Sequence, residues 1–157
     1  MLKYVDTKIV FQEIPDEITL AINISGCPCY CKGCHSSYLA GDIGEELNSL
    51  SLKELIDNNK GITCISFMGG DSDPSLIDGL AECVKIRYPT IKVAWYSGRQ
   101  ELSEDIELRN FDYIKLGPYI EELGPLNSET TNQRMYKVVE QDDNYELVDI
   151  TNKFWKK

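Results

Sequence analysis

Long apolar runs, basic clusters, repeats and histidine are all scarce in this chain of 157 residues. No stretch approaches the roughly 20 consecutive apolar residues that a membrane-spanning helix needs, so no membrane role is expected. Sixteen Lys and Arg stand against 26 Asp and Glu, for a formal net charge of −10. Neutralising a phosphate backbone takes clustered Lys and Arg, which argues against nucleic acid as a partner. The only basic cluster is the tail Lys153-Phe154-Trp155-Lys156-Lys157. The opening Met1-Leu2-Lys3-Tyr4-Val5-Asp6 lacks the apolar core of a signal peptide, so a reducing cytoplasm is the expected compartment. There is no low-complexity run and no obvious linker. The length fits one domain, residues 1–157, with a proper core.

What the chain does have is cysteine in one place. Four of its six cysteines fall within the eight positions 27–34, directly after a strand-like run. Cys27, Cys31 and Cys34 stand in the order Cys, three residues, Cys, two residues, Cys. A tight loop with that spacing can turn three thiolates onto one inorganic centre. A closed structural site wants four protein ligands, whereas a reactive centre keeps one position for substrate. Two plainer readings stand beside this one. Cys29 could join the other three in a four-thiolate zinc knot, although zinc sites usually combine two cysteine pairs across a longer connection. A disulfide cluster fits poorly with a reducing compartment. Cys64 in mid-strand and Cys83 in mid-helix read as small buried hydrophobes rather than ligands.

The remaining chain alternates strands and helices. Residues 8–14 predict a first, edge strand ending at Pro15-Asp16. Residues 18–24 are rich in β-branched side chains and predict the strand from which the cysteine loop departs. A helix is expected from residue 51, with Ser51 as N-cap and Glu54 completing a capping box. Strands follow at 62–67, 91–96 and 113–116, with a helix at 74–88 stopped by Pro89 and a short acidic helix at 101–109. The end of the chain predicts two strands, 135–141 and 145–150, joined across Asp142-Asp143-Asn144. Strand–helix alternation of this kind implies an α/β fold with a mostly parallel sheet and a short C-terminal β-hairpin.

In such sheets ligands bind beyond the carboxyl ends of the strands. The cysteine loop, Gly69-Gly70-Asp71, Ser97-Gly98 and Gly117-Pro118 all fall there, so they are expected to face one site. Glycines directly after a strand allow unusual backbone angles and close approach of a ligand. The plain alternative is a turn before a helix, with Asp71 or Asp73 as its cap.

The cysteine spacing together with Gly69-Gly70-Asp71 resembles the radical S-adenosylmethionine (radical SAM) enzymes. The resemblance implies a partial, open (β/α) barrel and a [4Fe-4S] cluster held by Cys27, Cys31 and Cys34. S-adenosyl-L-methionine (SAM) would chelate the remaining iron, with Gly69, Gly70 and Asp71 holding its methionyl ammonium group. Asp71 stands where the family carries Glu, one methylene longer. Gly33 also departs from the pattern, since most members place an aromatic residue before the third cysteine. His35, the only histidine, would then stack on the adenine, or serve as a plain polar residue at the next turn. Tyr30 would line the cluster or merely cover the loop.

Lys32-Gly33-Cys34-His35 is similar to the loop of the anaerobic ribonucleotide reductase activating proteins within that superfamily. Trp95-Tyr96-Ser97-Gly98, Lys115-Leu116-Gly117-Pro118-Tyr119 and Thr131-Asn132-Gln133-Arg134 match further segments of these activases in the same order. An Arg sometimes found before their cysteine strand is not evident here. The resemblance implies an enzyme that makes a glycyl radical on anaerobic ribonucleotide reductase, with Ser97 among the cofactor contacts and a donor such as flavodoxin or ferredoxin supplying the electron. The competing readings are a radical SAM enzyme acting on a small molecule, as in deazapurine biosynthesis, and a non-catalytic zinc-binding module. Length favours a protein substrate. A closed barrel of eight strand–helix units takes about 250 residues, so this chain leaves its sheet open for a partner to cover. The alternative cover is a second subunit in a homodimer.

Overall fold

Apolar and β-branched residues fill four short segments that lie side by side: β2 (Thr19–Ile24), β4 (Cys64–Met68), β5 (Lys92–Tyr96) and β6 (Tyr113–Leu116). In this computed structural model, which describes residues 2–11, 13–25 and 44–155, the four run parallel, with Ile22 beside Phe67, Phe67 beside Trp95 and Trp95 beside Ile114. The other strands are β1 (Leu2–Val10), β3 (Glu45–Leu47), β7 (Arg134–Gln141) and β8 (Asn144–Asp149). The described residues form one open sheet of eight strands in the order β3-β1-β2-β4-β5-β6-β7-β8.

Period-two alternation assigns the faces of the parallel strands. Leu20, Ile22, Ile24, Ile65, Phe67, Val93, Trp95, Ile114 and Leu116 point to one side. There they pack against α1 (Ser49–Asp57) through Leu52 and Ile56, and α2 (Pro74–Arg87) through Ile77, Leu80, Ala81 and Val84. Cys64, Ala94 and Tyr113 point to the other side, where Ile14, Leu126, Met135 and Ile150 cover them. Both helices therefore lie on one face. The carboxyl ends of the strands are left to the loops.

The structure corrects four expectations. The sheet is mixed rather than mostly parallel: β1, β3, β7 and β8 join it antiparallel, so only the central four strands are parallel. The first strand is not an edge. It begins at Leu2 and pairs with β2 on one side and β3 on the other, because the three-residue strand β3 returns to cover it. The cap of α1 is Asn48, whose side chain accepts from the Ser51 amide at 2.9 Å. Ser51 is the third helical residue and supplies the reciprocal half of the box by accepting from the Asn48 amide at 2.9 Å.

The fourth correction is at 101–109, where only a single 3-10 turn forms, Leu108–Asn110. Here Asp78 of α2 accepts from the Glu107 amide at 2.8 Å and the Asn110 side chain at 3.2 Å. Ser103 accepts from the Asp105 amide at 3.2 Å. Side-chain acceptors thus take up backbone donors that a helix would have used. At the chain's end Asp142 and Asp143 adopt φ of 51° and 65° and close a two-residue turn between paired Gln141 and Asn144. That left-handed pair matches the twist of a hairpin, and aspartate tolerates it.

Candidate functional site at the carboxyl ends of the parallel strands

Gly69 and Gly70 leave β4 with φ of +108° and +89°. The Gly69 amide donates to the Tyr96 carbonyl at 3.0 Å, and the Gly69 carbonyl accepts from the Trp95 indole Nε1 at 2.6 Å. The turn is therefore tied to β5 at both of its backbone groups. The space around it is filled: a Cβ on Gly70 would sit 2.6 Å from Ile77 Cδ1, and one on Gly69 would sit 3.2 Å from the Ile24 carbonyl oxygen. Left-handed backbone and close contact together require glycine at these positions. Gly69 thus lies against the end of β2, the strand from which the cysteine segment departs.

Asp71 is buried, with only 3 % of its surface exposed. Its Oδ1 accepts from the Ser97 hydroxyl at 2.5 Å and its Oδ2 from the Gly98 amide at 2.9 Å. Asp71 does not cap α2. That role belongs to Asp73, whose Oδ1 accepts from the Leu76 amide at 3.3 Å. Of the two caps that a simple turn would allow, the structure uses Asp73 and turns Asp71 toward the exit of β5.

Ser97 in turn is fastened to β6. Its amide donates to the Lys115 carbonyl at 2.9 Å, and its own carbonyl accepts from Lys115 Nζ at 3.1 Å. Lys115 Nζ also donates to the Gly117 carbonyl at 2.7 Å. The Gly117 amide donates to the Arg99 carbonyl at 2.6 Å. Beyond β6, Asn132 Nδ2 donates to the Pro118 carbonyl at 3.1 Å, while the Asn132 Oδ1 is buried and has no hydrogen-bond partner among the described residues. The Gly-Pro exit of β6 is thereby packed against residues 131–133, with Thr131 and Gln133 buried.

Further anchors hold this end of the sheet. Trp95 lies in the core against Phe111, their ring centroids 6.3 Å apart. The Tyr96 hydroxyl donates to the Glu13 carbonyl, and burial pushes that phenol well above its usual range. At the end of β2, the Ser25 amide donates to the Lys3 carbonyl at 2.9 Å and Asn23 donates to Asp6 at 2.6 Å. Cys64 and Cys83 are free thiols: Cys64 is buried in β4, and Cys83 is half-buried on α2. Burial pushes the Cys64 thiol up to about 12.

Of the expected site residues, Gly69, Gly70, Asp71 and Ser97 come together in one hydrogen-bonded unit. Cys27, Cys31, Cys34 and His35, together with Cys29 and Tyr30, lie outside the described residues. Among the described residues no group of three or more His, Cys, Asp or Glu is placed to hold a metal ion. No helix among them is long and apolar enough to cross a membrane. Sequence reasoning placed Ser97-Gly98 at this end of the sheet but overlooked Lys115 and the Trp95 indole as parts of the unit. A lysine inside the four-residue apolar run Tyr113-Ile114-Lys115-Leu116 was the one signal available.

Residues 18–142 match the family model described as a 4Fe-4S single cluster domain, a domain found in radical SAM-type proteins. The matched stretch contains the cysteine segment and every strand exit described above, and it supports an iron–sulfur cofactor. No curated protein and no solved structure matches the chain.

Proposed function

The chain belongs to the family of 4Fe-4S single cluster domains, and from that premise we propose that it is a radical SAM activase for a glycyl-radical enzyme, the anaerobic ribonucleotide reductase. The observation that carries this reading is the Gly69-Gly70-Asp71 turn, tied through Ser97 to the neighbouring strand exit and set against the end of β2, where the cysteine segment begins. Cys27, Cys31 and Cys34 are the proposed cluster ligands, with Cys29 standing aside.

The turn suits an α-amino-acid group in its donor set. The Gly69 and Gly70 carbonyls accept from the Trp95 indole and the Asp73 amide and each keep a second lone pair, the Asp71 carboxylate follows them, and an ammonium needs acceptors only. Ser97 and Gly98 donate one bond to each oxygen of Asp71, which fixes the plane in which the carboxylate is presented. Burial of that carboxylate strengthens whatever cation it meets, because few waters compete there. Ser97 orients Asp71, and His35 is proposed to lie against the adenine. The cofactor pair would supply one-electron cleavage of SAM to methionine and a 5′-deoxyadenosyl radical, which takes a hydrogen atom from a glycine Cα of the reductase.

The sheet bears on the substrate. Among the described residues it ends at β3 and β8 without closing, which is compatible with a partial, open barrel of the radical SAM type. Radical chemistry depends on excluding competitors, and a large partner that inserts its own glycine loop would close such a site and be the substrate at once. A flavodoxin or ferredoxin is the proposed electron donor, the cytoplasm the proposed compartment, and a homodimer the alternative source of cover.

The test is anaerobic reconstitution with iron and sulfide, followed by SAM, a reductant and the reductase. Brown protein with about four irons per chain and a glycyl-type doublet in electron paramagnetic resonance are expected. Colourless protein with one zinc would instead identify a binding module. SAM cleavage stimulated by a deazapurine precursor, and not by any glycyl-radical enzyme, would identify a small-molecule enzyme.

A further inference from the structure

We propose that Lys115 is a positioning residue of this site: its buried ammonium locks the Ser97–Gly98 peptide, and through that peptide it holds Asp71 where the methionyl ammonium of SAM is bound. The assignment rests on the function proposed above.

Lys115 is the third residue of β6, and alternation sends its neighbours Ile114 and Leu116 into the main core on the helix side. Its own side chain leaves the opposite face, like Tyr113, and is only 8 % exposed. An ammonium in so little solvent loses hydration and is retained where acceptors replace the water. Here the Ser97 and Gly117 carbonyls do so, at 3.1 and 2.7 Å. Each belongs to the first residue beyond its strand, so one cation fastens the exits of β5 and β6 together.

The Ser97–Gly98 peptide carries the coupling. Its carbonyl accepts from Lys115, and its amide N–H donates to Asp71 Oδ2 at 2.9 Å. In a planar trans peptide these two groups point in opposite directions. The peptide is therefore bracketed, a cation at its negative end and an anion at its positive end. Both bonds are charge-assisted, and each polarises the amide in the sense that strengthens the other. The Ser97 hydroxyl adds a second hold on the same carboxylate at 2.5 Å. Without the ammonium, rotation of this peptide would withdraw the Gly98 donor from Oδ2 and loosen the orientation of Asp71. Lys115 acts on the ligand through Asp71.

The test compares wild type, K115M, K115A, D71A and D71A/K115M after anaerobic reconstitution, by SAM equilibrium dialysis and electron paramagnetic resonance of the reduced cluster. K115M is expected to keep the cluster and its SAM-free spectrum, but to lose about ten- to hundredfold in SAM affinity, the effect of one charge-assisted bond. D71A/K115M should bind no more weakly than D71A, because the lysine works through the carboxylate. Ethylammonium added to K115A should restore SAM affinity, and ethanol should not. A purely structural lysine predicts losses that add to those of D71A and no rescue; either result overturns the assignment. In wild type, the Gly98 amide should exchange with solvent far more slowly than an exposed amide, a measurement that stands even if the variants do not fold. Exchange of Gly98 at solvent rates also overturns it. Wild type that binds SAM with K115M equal to it removes only the role of Lys115. Wild type that assembles a cluster but binds no SAM removes the proposed function and this assignment together.

Discussion

The Trp95 indole Nε1 donates to the Gly69 carbonyl at 2.6 Å, so a residue buried at the centre of the core also holds the turn that presents Asp71. Core and site share a side chain here. Trp95→Phe keeps an aromatic ring in the core but leaves that carbonyl without its donor. A loss of about 1–3 kcal/mol in stability is expected, measured by urea unfolding. SAM affinity should fall as well, while iron content stays at the wild-type level. Unchanged SAM binding would separate the turn from the ligand site.

Two glycines with nearly the same backbone angle separate strain from crowding. Gly61 has φ of +95° with nothing within 4 Å of a Cβ, whereas at Gly70, with φ of +89°, a Cβ meets Ile77 at 2.6 Å. Gly61→Ala should cost about 1–2 kcal/mol, the strain alone. Gly70→Ala should cost a further 1–3 kcal/mol or so for overpacking against α2. Comparable melting temperatures for the two variants would refute the packing of Ile77 against this turn.

Cysteine-to-alanine variants distinguish three ligands from four. Cys27→Ala, Cys31→Ala and Cys34→Ala are each expected to abolish the cluster, read as loss of bound iron and of brown colour. Cys29→Ala should retain both, because a fourth thiolate would occupy the position that SAM needs. Equal loss in all four variants would indicate a closed four-thiolate site.

Burial raises the folded pKa of Cys64 from 9.0 to about 12. Above pH 9 the unfolded thiol gives up its proton while the folded thiol keeps it, so the unfolded state gains. The contribution is fully present below pH 9 and is lost as pH rises toward 12. Relative to Cys64→Ala, the wild type should lose about 1.4 kcal/mol per pH unit in that window. Urea unfolding of both proteins at pH 8 and pH 10 measures the difference, and parallel pH slopes would count against a buried, neutral thiol.

Local pattern was most informative where residues are buried on both faces of the sheet. Residues 113–116 form β6 at the expected bounds, and α2 begins at Pro74 as expected because Asp73 and the proline mark its start in the chain itself. The segment 101–109 misled because its fate depends on Asp78, about 30 positions earlier, which takes the Glu107 amide and the Asn110 side chain. β3 was invisible: Glu45-Glu46-Leu47 carries no strand pattern and becomes one by pairing with residues 2–4 of β1.

By itself the sequence determined the four parallel strands and the two helices between them, the cysteine spacing and the placing of glycines at strand exits. These depend on neighbours in the chain: a period of two or 3.6, a cap, a backbone angle that only glycine takes freely. Only the tertiary structure decided that Asp71 turns to Ser97 and Gly98 instead of capping α2, and that Lys115 lies buried across the exits of β5 and β6. Both choices join residues from different strands, and a buried charge takes its partner from whatever the packed sheet brings within hydrogen-bond reach.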